Sequence, residues 1–157
     1  MSFHDWNGNP TTLPTNVTPH WRPCAYAILT HHKKILLVKE QHNMKWNLPG
    51  GGTELHEPIV HGLVREIMEE TGYRAEVIGT QPIFVGDILH RSSSGDHKRS
   101  IPFYFIATLT NETPATDELD EGILDVQWFS FHELEDIDLS YHSQRSIQHY
   151  LEHHHDV

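Results

Sequence analysis

Basic residues are scarce in this chain. Its 157 residues include 11 Lys and Arg against 22 Asp and Glu, a formal charge of −11. So acidic a surface excludes broad, sequence-independent binding to extended nucleic acid or to an anionic membrane. A small phosphorylated ligand remains compatible, because bound cations reverse the local field. Long apolar runs are missing too. None approaches the roughly 20 residues of a membrane-spanning helix, and the polar stretch from Met1 to Pro19 has no apolar core of the signal-peptide kind. Cysteine is almost absent. Cys24 is the only one, so no internal disulfide can form, and a cytoplasmic, reducing compartment is expected. It falls in an apolar strand pattern and reads as an inert core thiol. There is no internal repeat and no convincing linker. The expectation is one domain over residues 1–157, with residues 1–19, punctuated by Pro10, Pro14 and Pro19, as an irregular lead-in.

Histidine is the residue in excess, with fifteen copies. Most are scattered in polar surroundings and read as surface residues. His153-His154-His155 near the end reads as a solvated tail.

The pattern along the chain predicts a mixed α and β content. Residues 22–30 are an apolar run of β-prone residues and read as a buried strand. After the polar turn His31-His32-Lys33-Lys34, residues 35–38 supply the partner strand of a hairpin. A short strand over residues 46–48 leads into a glycine loop, Gly50-Gly51-Gly52. A helix over about residues 57–71 follows. Further strands are predicted at 75–79, 83–89, 101–108 and 124–129, with polar loops at 91–98 and 111–121. Ser130 is expected to cap a short helix opening at Phe131. A C-terminal helix over 140–151 is expected to turn Ile147, Tyr150 and Leu151 to one side.

The helix after the glycine loop carries the strongest chemical signal. Glu66, Glu69 and Glu70 recur at spacings of three and four, within one arc of roughly 100° on a 3.6-residue period. Like charges so close repel one another. A divalent cation removes that repulsion, and hard oxygen ligands suit Mg²⁺ or Mn²⁺ better than zinc. Pro58 suits the first helical position and Gly72 the position after the last turn. Ile59, Val60, Leu63, Val64, Ile67 and Met68 form the apolar face, with the carboxylates on its border and so partly desolvated. Gly62 sits one turn before Glu66, where glycine costs about 1 kcal/mol relative to alanine. Close approach of another loop or of a ligand would explain it. Glutamates alone also fit a solvated acidic face.

The full spacing is more specific. It runs Gly51, five residues, Glu57, seven residues, Arg65-Glu66, an aliphatic residue, any residue, Glu69-Glu70, any residue, Gly72. This matches the Nudix box, the signature of hydrolases acting on a nucleoside diphosphate linked to another group. Trp46-Asn47-Leu48-Pro49-Gly50 and Val126-Gln127-Trp128-Phe129-Ser130 are also similar to that family. The box covers residues 51–73, and only its final aliphatic slot, here Tyr73, departs from the pattern.

The resemblance implies an α/β fold, an α/β/α sandwich with a mixed β-sheet between helices. It implies Mg²⁺-dependent hydrolysis of a pyrophosphate bond, with Mn²⁺ able to substitute. A nucleoside triphosphate or small nucleotide is the favoured substrate, with ADP-ribose or a sugar nucleotide as further members of the class. A homodimer is compatible with it. The alternative is a catalytically silent module that binds nucleotide as a sensor. Such modules usually lose box glutamates, and all are present here. By the same resemblance Glu66, Glu69, Glu70 and the Gly50 carbonyl hold the metal, and Glu66 orients or deprotonates water. Glu57 and Arg65 form a scaffolding salt bridge. A carboxylate outside the box assists, with Glu121 the first candidate and Glu118 the second, although Asp117 to Glu121 fits a solvated loop as well. Gly51 and Gly52 line the substrate. Arg22, Lys39, Arg91, Lys98 and Arg99 are candidate phosphate partners, and Trp46, Phe84 and Tyr104 candidate stacking partners for a base, though each also fits an ordinary surface charge or core ring.

Overall fold

The structure is a computed structural model that describes residues 2–154; His155, the end of the histidine triplet, lies outside them. In chain order the strands are β1 (Phe3–His4), β2 (Pro10–Thr11), β3 (His20–His31), β4 (Lys34–Glu40), β5 (Trp46–Asn47), β6 (Gly50–Gly52), β7 (Ala75–Val77), β8 (Phe84–Val85), β9 (Ile88–Arg91), β10 (His97–Leu109) and β11 (Ile123–Ser130). The helices are α1 (Ile59–Thr71) and α2 (Tyr141–His153). The sheet runs β11-β4-β3-β10-β9-β1-β2. β3 and β10 are parallel, from Lys98↔His20 to Ala107↔Leu29, whereas β4 is antiparallel to both β3 and β11. The sheet is mixed, as expected.

Period-two alternation divides the core between the two faces. Ala25, Ala27, Leu29 and Leu36 face Leu63 and Ile67 of α1. Ile28, Ile35 and Leu37 face the other way, onto Ile147 and Tyr150 of α2. Burial on both faces is why β3 and β4 read as near-continuous apolar runs. Each fully buried Leu or Ile in these layers contributes about 1.5–3 kcal/mol. Tyr73, in the slot where an aliphatic residue was expected, packs on the α1-side cluster, and its hydroxyl accepts a hydrogen bond from Trp128 Nε1 at 3.3 Å. Cys24 is fully buried, and burial pushes its thiol up to about 11.

Several boundaries differ from the sequence expectation. The lead-in is not wholly irregular: β1 pairs with β2 and, at His4↔Ile88, with β9. The strand expected over 83–89 is broken at Gly86-Asp87 into β8 and β9, both antiparallel to β10. Pro58 is not the first helical residue of α1 but its extended N-cap, and Gly72 ends the helix in the left-handed region. Ser130 does not cap a helix. It is still in β11, donating from its amide and hydroxyl to the Glu133 carboxylate at 2.6 and 2.8 Å, and His132 precedes the 3-10 turn Glu133–Glu135. On α2 the buried side is His142, Ser143, Ser146, Ile147 and Tyr150. Leu151 lies 100° round the wheel from Tyr150 and is exposed.

Candidate active site

Two short elements fix the site. β6 pairs with β3 through Cys24↔Gly52, Ala25↔Gly51 and Tyr26↔Gly50, which holds the glycine loop alongside β3. Gly50 has φ +144, and a Cβ there would lie 2.1 Å from the Ala25 carbonyl oxygen, so only glycine fits. α1 packs beside this loop, and its Glu70 Oε2 accepts a hydrogen bond from Gly50 N at 2.8 Å. Gly51 lies against the Glu66 carboxyl, which an ideal Cβ would approach to 3.0 Å.

Arg65 ties loop and helix together. Its Nε and Nη2 donate to both Glu57 carboxylate oxygens at 3.2 and 2.8 Å, and Nη2 reaches the Gly52 carbonyl at 3.4 Å. Its Nη1 donates to Glu66 Oε1 at 3.0 Å and to Glu69 Oε2 at 2.9 Å. The forked hydrogen bond from Arg65, assisted by the Glu54 backbone amide, holds the Glu57 carboxyl down at about 2. The same partners, Glu57 foremost, hold the Arg65 guanidinium above its ordinary value. Gly62 is explained here: a Cβ would come within 2.7 Å of Glu57 Oε1. The helix accepts a poor helix former so that the Glu57–Arg65 clamp can lie on its surface.

The three box glutamates are not equivalent. Glu70 is 6% exposed. Burial, with the charges of Glu40, Glu66 and Asp120 nearby, pushes its carboxyl well above the usual carboxylate range, against the lowering effect of Gly50 N–H. Burial likewise raises Glu66 despite Arg65. Glu69 keeps 47% of its side chain exposed and points along the helix to Arg65. Among the described residues, no three His, Cys, Asp or Glu side chains converge as a ready-made metal cage. Arg65 holds Glu66 and Glu69, and the Gly50 amide holds Glu70.

Glu66, Glu70 and Gly50 to Gly52 open onto a cavity of about 680 Å³, within the range of small-molecule sites. Glu40 joins them on this wall, and burial raises its carboxyl too. Arg22, Arg91 and Lys98 bring positive charge to the same cavity, and Tyr104 lines it as well. Glu40 carries no motif, and its sole sequence signal was an acid ending an apolar strand. Trp6, Tyr26, His90 and His142 also line it and were missed too, because they arrive from four separate segments.

The remaining expectations fall elsewhere. Glu121 and Glu118 are exposed and outside the cavity. Asp120 is likewise exposed and outside the cavity, but its charge helps raise the Glu66 and Glu70 carboxyls, and its amide donates to the Glu69 carbonyl at 2.9 Å. Trp46 is core, edge-on to Phe129 at 4.8 Å, and Lys39 lies over the Trp46 ring at 5.9 Å; neither lines the cavity. Phe84 packs on Tyr104 and His149 outside it, and Arg99 is paired with Asp87.

A family model described as the NUDIX domain matches residues 20–150. A putative 8-oxo-dGTP diphosphatase of Bacillus subtilis is 46% identical over 48 residues, 31% of this chain and 32% of that protein. A putative ADP-ribose pyrophosphatase of the same organism is 46% identical over 43 residues, 27% of this chain and 21% of that one. The chain thus spans about a third or less of the length of these two relatives. A solved NUDIX hydrolase from Nitrosomonas europaea superimposes with a TM-score of 0.65 at 25% identity, covering 86% of this chain and 90% of that one.

Proposed function

The chain belongs to the Nudix family, and from that premise we propose that it hydrolyses a pyrophosphate bond in a nucleoside diphosphate linked to another group, with Mg²⁺ as cofactor and Mn²⁺ able to replace it. A nucleoside triphosphate or small nucleotide is the favoured substrate. The observation that carries this is that Glu66, Glu70, Glu40 and the glycine loop line one cavity together with Arg22 and Lys98. The names of the two bacterial relatives point to different nucleotides, so they support the class rather than one member.

The side chains fit a hard divalent cation. They are all oxygen donors on one cavity, and Glu70 is buried with like charges near enough to raise its carboxyl. Glu66 and Glu70, with Glu40 assisting, are the residues that would hold it. Such a cation neutralises phosphate charge and acidifies water. The protein supplies the rest. Arg22 and Lys98 attract and orient the phosphates, and the Gly50–Gly52 backbone lets the chain lie close to them. Arg65 aims Glu66 and Glu69 from behind, while Glu57 keeps Arg65 in place. Glu66, partly buried and with its carboxyl raised by that burial, would take a proton from attacking water.

A panel of nucleoside triphosphates, ADP-ribose and sugar nucleotides, assayed with Mg²⁺ and with Mn²⁺, tests the proposal. Turnover of at least one, abolished by EDTA, is expected. Binding without turnover across the panel would instead favour a nucleotide sensor.

A further inference from the structure

The N-terminal segment reaches the cavity from outside the matched residues 20–150. Asp5 folds it into a tight turn, accepting from Asn7 N and Asn9 N at 2.9 Å each and from Asn9 Nδ2 at 3.2 Å. Gly8 lies on the Tyr141 ring, which an ideal Cβ would approach to 2.6 Å. His142 Nε2 stands 3.3 Å from the Asp5 carbonyl oxygen. Further out, the Arg99 guanidinium sits between the Phe3 and Trp21 rings, 5.0 and 4.8 Å from their centroids. The segment is thus pinned to the sheet and to α2 at several points.

What this anchoring delivers is Trp6. Its ring meets Tyr26 at 6.4 Å and 74°, His90 at 5.8 Å and 60°, and His142 at 5.3 Å and 83°. All three neighbours approach edge-on and none lies flat against the indole. Trp6 is half-buried and lines the cavity, with Asn7 beside it. Tyr26 links this wall to the carboxylates, since Tyr26 pairs with Gly50 and Gly50 N–H holds Glu70. Glu66, Glu70, Arg22 and Lys98 thus line the same cavity as the Trp6 indole and the Asn7 carboxamide.

We propose that Trp6 and Asn7 form the nucleobase site of this protein: the base stacks on the Trp6 indole, and the Asn7 amide hydrogen-bonds its edge. This deepens the hydrolase reading and rests on it for the placing of the phosphates. Flat aromatic stacking suits any base, and an Asn amide pairs donor and acceptor with a base edge. Trp6 is a base-binding residue, distinct from the groups that hold phosphate.

The test is calorimetric binding to the full chain with Mg²⁺, using α,β-methylene-ADP, which cannot be hydrolysed between its phosphorus atoms, and methylenediphosphonate, the same diphosphate without a nucleoside. Trp6→Ala should weaken α,β-methylene-ADP roughly tenfold, the scale of losing one base–aromatic stack, and leave methylenediphosphonate unchanged. Trp6→Phe keeps a ring and should recover most of the loss, which separates stacking from misfolding of the segment. No binding of α,β-methylene-ADP by the wild type, unchanged affinity in Trp6→Ala, or equal loss for both ligands would overturn the proposal. If binding depends on Trp6 yet the wild type turns over no nucleotide, the hydrolase reading falls and the base site stands.

Discussion

Glu69 and Glu70 are neighbours in sequence and opposites in environment. A 100° step along α1 carries Glu69 out to Arg65 and solvent and turns Glu70 inward under the glycine loop. Glu70→Gln preserves size and the acceptor for Gly50 N–H but removes the charge. It should lower turnover by a factor on the order of 10² or more, the scale of losing one preorganised electrostatic group, with the circular dichroism spectrum unchanged. Wild-type turnover in that folded variant would sink the assignment. Gly62 invites a second test. Alanine should gain about 1 kcal/mol in helix propensity, yet its Cβ would press on Glu57 Oε1. Gly62→Ala should therefore melt lower than the wild type, not higher, and a raised Tm would show that the clamp yields easily. The spacing of the box made the glycine loop, the clamp and the glutamates legible in sequence. Glu40, Asp120 and Trp6 were not, because each gains its meaning from a contact between segments far apart in the chain. Asp120 and Glu121 both carry carboxylates, and it is the charge of Asp120, whose amide donates to the Glu69 carbonyl, that helps raise Glu66 and Glu70.

At the scale of elements, the loop between β6 and α1 depends on one ion pair. Arg65 and Glu57 bind through both arms of the guanidinium, a geometry that lysine cannot reproduce. Because the Glu57 carboxyl is held at about 2, below its unfolded value, the folded state binds fewer protons there. Its stabilising contribution is complete above about pH 4.5 and is lost as pH falls from there toward about 2. A series of melting scans should show Glu57→Gln with a lower Tm at neutral pH and a shallower acid decline across that window. Parallel declines in the two proteins would mean that the pair contributes nothing to folding. The elements themselves were largely readable. The hairpin of β3 and β4, α1, β10 and α2 announce themselves through long periodic or apolar runs. The errors fall at ends and short pieces. Ser130 looked like a cap because a hydroxyl before a polar turn commonly is one, but its hydrogen bonds go to the Glu133 side chain. The break at Gly86-Asp87 and the two-residue strands β1 and β2 are imposed by neighbours rather than by their own residues.

For the whole molecule, a charge of −11 with buried carboxylates beside a cavity means that a cation should bind the folded state preferentially. Mg²⁺ at a hundredfold excess over its dissociation constant should add about 2.7 kcal/mol. A protein of this size gains roughly 2–4 °C in Tm for each kcal/mol. A melting scan in EDTA and then in Mg²⁺ reads this, and an unchanged midpoint at saturation would count against metal held by Glu66 and Glu70. The central claim is that water attacks phosphorus and breaks the bridge between two phosphorus atoms. Cys24, the only thiol, is buried and held protonated by that burial, so it offers no nucleophile. Hydrolysis of the substrate in ¹⁸O-labelled water, followed by phosphorus NMR of the products, tests that claim most directly. A triphosphate should yield monophosphate and pyrophosphate, or diphosphate and phosphate, and a sugar nucleotide two phosphomonoesters, with one label on a phosphate-containing product. Release of free nucleoside or sugar with all the phosphates still joined would mean that the chemistry assigned to this site is wrong, whatever the fold.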